Sequence, residues 1–277
     1  MKINTFANTI FIGLLALMFM GCQNQTDSNA ANQTDSNLPA NNSNLANQTA
    51  SEIPAPQEIK FTSAGDVEII GTFYQSPKAN SPAVLLLHQF GSSRQSFDEF
   101  AKIMQKKNLG VLAIDGRGFG DSTKTTGGET VAAERTDEAV NGMRADVKNA
   151  FEFLANQKNV DANRMGIVGA SYGSSLALID AAENKQVKAV ALLSPGINYF
   201  GNLPTEPALK NYGDRPLLMV AAEDDEESAD AVRKLKAENP NEKYETQIYE
   251  KGGHGTNIFD ADAGLQDVLE QFLVKNL

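Results

Sequence analysis

Arg164–Ala182 reads RMGIVGASYGSSLALIDAA. Up to Ala170 the stretch is apolar and strand-like, and from Gly173 onward it has the composition of a buried helix. The turn between them is Gly169-Ala170-Ser171-Tyr172-Gly173, a G-x-S-x-G pentapeptide. A sharp strand-to-helix turn strains the serine backbone and pushes its hydroxyl outward, and bulky side chains two residues away on either side would clash. It also puts the Tyr172 N–H at a helix N-terminus, where it can stabilise an anion. G-x-S-x-G arises by chance in many chains, so its meaning depends on the surrounding elements.

Outward from this turn, the chain alternates between strand and helix. QEIKFTS and VEIIGTFYQ flank the turn AGD and predict an antiparallel hairpin over Gln57–Gln75. AVLLLH (Ala83–His88) is a continuous apolar run, as expected of a strand buried on both faces. A helix follows over 96–107, then a strand at GVLAID (Gly110–Asp115) and a helix over 136–157. Beyond the central turn come a strand at Val187–Leu193 and an irregular piece from Ser194 to Arg215 that contains three prolines. PLLMVAA, SADAVRKLKAE, KYETQIYE and AGLQDVLEQFLVKNL continue as strand, helix, strand and helix. Eight strands in this order imply a mostly parallel sheet with helices on both faces. Ligands of such sheets bind beyond the carboxyl ends of the strands.

A serine hydroxyl needs a base to act as a nucleophile near neutral pH. Of the two histidines, His254 lies in YEKGGHGTNIF between the last strand and the last helix, at the same sheet edge as Ser171. His88 ends its strand and reads as a structural or loop-shaping residue. The acid that would orient the imidazole lies among five consecutive carboxylates, Glu223–Glu227. Most of these suit the start of a helix, and position alone does not choose among them.

With this order and chemistry the chain resembles the α/β-hydrolase superfamily, and more narrowly the bacterial hydrolases near dienelactone hydrolase, over nearly all of Gln57–Leu277. The family's order of serine, acid and histidine along the chain is met here. Its acid usually stands three residues past a small residue at the strand end, which from Ala222 implies Asp225, with Asp224 as fallback. LLLHQFGSS occupies the place of the family's His-Gly-x loop, so the second oxyanion donor is expected to be the Phe90 N–H, beside that of Tyr172. Gln89 stands where that loop usually has glycine. DGRGFGDS (Asp115–Ser122) resembles the D-x-R-G-x-G-x-S signature, and its Arg117 and Ser122 are expected to be structural.

The resemblance therefore implies an α/β-hydrolase fold with a minimal cap. It also implies a serine hydrolase that cleaves a carboxylic ester or thioester, expected to be monomeric and to act on a small-molecule acyl ester. GASYGSS is also similar to the turn of prolyl-oligopeptidase-type peptidases, though the N-terminal segment is too short for their gating domain. A catalytically inactive, tethered binding protein on the same scaffold is the non-enzymatic alternative. Tyr199 and Phe200 are candidates to line an acyl pocket.

The ends and the composition narrow the setting. Lys2 precedes an apolar run, Ile10–Met20, too short to span a bilayer core that needs about 20 residues and fitted to a signal peptide. Residues 1–21 are expected to be such a signal. Gly21-Cys22 resembles a bacterial lipoprotein processing site, which implies a lipid on Cys22 and a location in the cell envelope, on the outer membrane or periplasmic face. Cys22 is the only cysteine, which excludes an internal disulfide and a Cys-x-x-Cys motif. Residues 22–56, rich in Asn, Gln and Ser with NQTDSN repeated, read as a disordered tether. The net charge of −11 opposes binding to nucleic acid, so membrane contact is expected through the lipid alone. Two histidines and one cysteine are too few for a conventional His/Cys metal site, and no phosphate-loop motif is present, so no cofactor is expected.

Overall fold

A computed structural model describes residues 52–261 and 264–277. The expected signal (1–21), Cys22 and most of the tether lie outside the described residues. The hairpin consists of β1 (Gln57–Thr62) and β2 (Glu68–Tyr74), paired antiparallel with Gln57 opposite Phe73. The remaining strands of the main sheet are β3 (Ser81–Leu87), β4 (Gly110–Ile114), β5 (Val160–Ala170), β6 (Val187–Leu193), β9 (Leu217–Ala222) and β10 (Tyr244–Tyr249). Their spatial order is β1-β2-β4-β3-β5-β6-β9-β10. β2 joins β4 antiparallel, and every pair from β4 to β10 is parallel. This is the α/β-hydrolase fold.

Because its central strands are covered on both faces, they are apolar throughout: all of β4 and β9 is buried. One face carries α2 (Asp137–Ala155), α3 (Tyr172–Glu183) and α5 (Glu226–Glu238), and the other α1 (Asp98–Lys106) and α7 (Gly264–Asn276). α2 begins where Thr136 Oγ1 accepts the Ala139 N–H at 3.2 Å, with Asp137 and Glu138 in the first turn to suit the helix dipole.

The expected irregular piece, Ser194 to Arg215, is more ordered than its prolines suggest. It holds a two-residue antiparallel pair, β7 (Asn198–Tyr199) with β8 (Leu203–Pro204), and then helix α4 (Thr205–Tyr212). Pro207 stands in the first turn of α4, where a missing N–H breaks no intrahelical bond. A four-residue helix, α6 (Ile258–Ala261), follows the His254 loop. No helix among the described residues is long and apolar enough to cross a membrane.

Candidate active site

The parallel strands bring their carboxyl-end loops to one edge of the sheet, and those after β3, β5, β6, β9 and β10 supply the groups that meet there. Ser171 follows β5 directly, with φ 55° and ψ −125°, the left-handed strain of a tight elbow. The packing shows why both glycines are needed. A Cβ on Gly169 would lie 2.1 Å from the Gly173 carbonyl oxygen, and one on Gly173 would lie 2.7 Å from that of Leu87. Side chains at either position would drive α3 away from β5 and β3.

At this edge Ser171 Oγ is 2.6 Å from His254 Nε2, and His254 Nδ1 is 2.7 Å from Asp225 Oδ2. Residues separated by 83 and 29 positions thus form one hydrogen-bonded chain. A ring with Nδ1–H donating to Asp225 leaves the Nε2 lone pair facing the serine hydroxyl. Burial by itself would raise the Asp225 carboxyl. The His254 hydrogen bond and charge, with the Ser228 and Ser194 hydroxyls, outweigh it and hold the group below the ordinary aspartate value.

Asp224 has a different task. Its Oδ1 accepts the Gly253 N–H at 2.9 Å and the Gly252 N–H at 3.1 Å, which ties down the loop carrying His254. It does not meet the imidazole. Two further tethers hold that loop. Ser194 Oγ accepts the Gly255 N–H at 2.8 Å, and Gln89 Oε1 accepts both the N–H and the hydroxyl of Thr256, at 2.9 and 2.8 Å. Gln89 therefore bridges the loop after β3 to the loop after β10. Neither Ser194 nor Thr256 stands out in the sequence, since a lone hydroxyl at a strand end carries no signal until its partner is known.

Phe90 and Tyr172 stand on the loops after β3 and β5, and neither backbone N–H has a protein acceptor among the described residues. His88 is 2 % exposed; its Nε2 accepts the Gly116 N–H at 3.0 Å and its Nδ1 faces the Gln89 carbonyl at 2.8 Å. Burial holds this imidazole below its ordinary pKa, so it is neutral and shapes the loop from beneath. Arg117 forms a two-pronged pair with Asp146 at 2.7 and 2.8 Å. Ser122 Oγ donates to the Asp115 carbonyl and accepts the Ile70 N–H. Both anchor loops away from the serine.

Above the elbow the rings of Phe90, Phe119, Tyr172 and Phe200 pack together, with centroid separations from 4.8 to 6.2 Å. The exposed Arg135 guanidinium lies 4.3 Å from the Phe90 ring centroid and 5.0 Å from that of Phe200. Tyr199 is edge-on to His254 at 6.4 Å, and its hydroxyl donates to the Ser194 carbonyl at 2.8 Å. Phe200 thus joins the apolar wall, whereas Tyr199 borders the imidazole.

A family described as "Serine aminopeptidase, S33" matches residues 78–214. The thiohydrolase AneE of Aspergillus aculeatus is 27% identical over 139 residues, an alignment covering 50% of this chain and 41% of that protein. The chain thus spans less than half of that relative's length. Among solved structures, the esterase Pf2001 of Pyrococcus furiosus is 18% identical with a TM-score of 0.64, covering 80% of this chain and 93% of its own. Dienelactone hydrolase from Anabaena variabilis is 19% identical with a TM-score of 0.60, covering 80% and 99%. Strand order, the elbow after β5 and the likeness to these solved structures together show that the chain has the α/β-hydrolase fold.

Proposed function

We propose that the chain is a serine hydrolase that cleaves a carboxylic ester or thioester through an acyl-enzyme. The Ser171–His254–Asp225 hydrogen-bonded chain carries this reading. His254 Nε2 takes the hydroxyl proton as Ser171 Oγ attacks the acyl carbon, and Asp225 stabilises the imidazolium. The N–H groups of Phe90 and Tyr172 receive the oxyanion. His254 then protonates the departing alcohol or thiol, and on the second pass it deprotonates the water that releases the acid. Names among the relatives and solved structures, a thiohydrolase and an esterase, support acyl transfer to water.

The description of the matched family favours a second reading, cleavage at a free peptide N-terminus. Such a substrate brings an ammonium group close to the reacting carbonyl. Arg135, stacked on the ring of the oxyanion-loop residue Phe90, places positive charge on that side and disfavours it.

Hydrolysis of p-nitrophenyl esters by the full chain, beside aminoacyl p-nitroanilides and with fluorophosphonate labelling, tests both readings. Ester turnover and labelling that vanish in Ser171→Ala support the first, and anilide turnover without ester turnover supports the second. A folded wild type with neither turnover nor labelling leaves a binding protein as the better account. We further propose that the chain acts in the cell envelope, held through a lipid on Cys22.

A further inference from the structure

We infer that a polar cavity beside the His254 loop is a binding site for a hydroxyl-rich alcohol half of the substrate ester, a sugar or another polyol. This rests on the acyl-transfer reading above. In that chemistry the leaving oxygen receives its proton from His254 Nε2, so the alcohol half lies on the imidazole's side. From His254 the chain runs through Gly255 into Thr256 and Asn257, which line a cavity of about 470 Å³. That volume falls in the range of small-molecule sites, roughly 300–1,000 Å³. The opposing wall starts at Gln89, next to Phe90. The Gln89–Thr256 bridge thus belongs at once to the cavity and to the two loops that carry the imidazole and an oxyanion donor.

The lining chemistry selects a neutral, hydroxyl-rich occupant. Gln95, Asn257 and Gln266 all face the cavity, and their side-chain amides make no hydrogen bond to the described residues, which leaves donors and acceptors for a ligand. Phe259, half-buried and stacked on Phe100 at 5.5 Å, gives an apolar surface for the C–H face of a sugar ring. No Lys or Arg is among the described residues lining the cavity, so an anion finds no counter-charge. Of the three carboxylates there, Asp98 already accepts the Tyr74 hydroxyl at 2.9 Å and Glu99 holds Lys102 at 2.6 Å. One unengaged carboxylate, Asp260, makes a poor cation site. By contrast, the rings of Phe90, Phe119, Tyr172 and Phe200, which include the residue next to Ser171, form an apolar cluster that suits an acyl group.

The test compares two acetates with the same acyl group, an acetylated methyl xyloside and ethyl acetate, each normalised to its rate with hydroxide. The full-length wild type should prefer the sugar ester at least tenfold in kcat/KM. In the Gln95→Ala/Asn257→Ala variant, both positions being exposed, that ratio should fall at least fivefold through a rise in KM for the sugar ester. Equal normalised rates in wild type, or a preference that survives in the variant, overturn the subsite while the acyl-transfer reading stands. Absence of all ester turnover and of fluorophosphonate labelling overturns both.

Discussion

Three side chains and three tethers meet at the candidate site, and they should differ sharply in mutational cost. Ser171→Ala and His254→Ala should each lower kcat by about 10⁴-fold or more, with labelling lost in the first. Asp225→Ala should cost about 10³–10⁴-fold, because the imidazole loses both its orientation and the partner for its positive form. Asp224→Ala removes the acceptor for Gly252 and Gly253 and should cost only about tenfold. A reversed order for the two aspartates would refute their assignment. Gln89→Ala frees the Thr256 loop and should lower kcat about 10- to 100-fold, with an unchanged circular-dichroism spectrum. Gln89→Glu, which still accepts from both Thr256 donors, should recover most of that loss; equal defects in the two variants would show that the bridge is not what positions His254.

At the scale of elements, the β5–α3 elbow is the least tolerant point. Alanine at Gly169 or Gly173 forces a Cβ against backbone oxygen at 2.1 or 2.7 Å. The cost should reach several kcal/mol, on the order of the largest single-site effects. Thermal denaturation should therefore show Gly169→Ala to be far less stable than Ser171→Ala, although both are small substitutions in one turn. Buried strands and amphipathic helices were legible in the sequence because burial imposes its own period. α4 was not, since prolines usually mark a break and nothing local shows that Pro207 occupies a first turn. The Asp225 choice came from family resemblance, as five adjacent acids are locally equivalent.

For the whole molecule, a test of stability against pH lies away from the reactive edge. Asp180, on the inner part of α3, is pushed up to about 6, chiefly by burial and then by the nearby Glu183 charge. Its Oδ2 has no hydrogen-bond partner. The native state therefore binds more protons than the unfolded chain between about pH 4 and 6, and this group's contribution to stability is lost as pH rises through that interval. Asp180→Asn should gain roughly 2 kcal/mol at pH 8 and nothing below pH 4. Chemical denaturation of both proteins at the two pH values measures this, and a gain that is the same at both would rule out the ionisation as its cause. At the other end of the chain, radiolabelled palmitate should be incorporated in a bacterial host and be lost in Cys22→Ser.

The sequence by itself determined the strand-and-helix order, the elbow at Ser171 and the single histidine suitably placed past the last strand. These follow from periodicity, turn sterics and scarcity, all of which act over a few residues. Only the tertiary structure decided that Asp224 holds a loop while Asp225 meets the imidazole, that Gln89 reaches Thr256, and that a polar cavity adjoins the His254 loop. Each of those depends on partners from 28 to 167 positions away, brought together by strand pairing across the sheet. A hydrogen bond needs a distance and a direction, and local sequence carries neither for residues on separate loops.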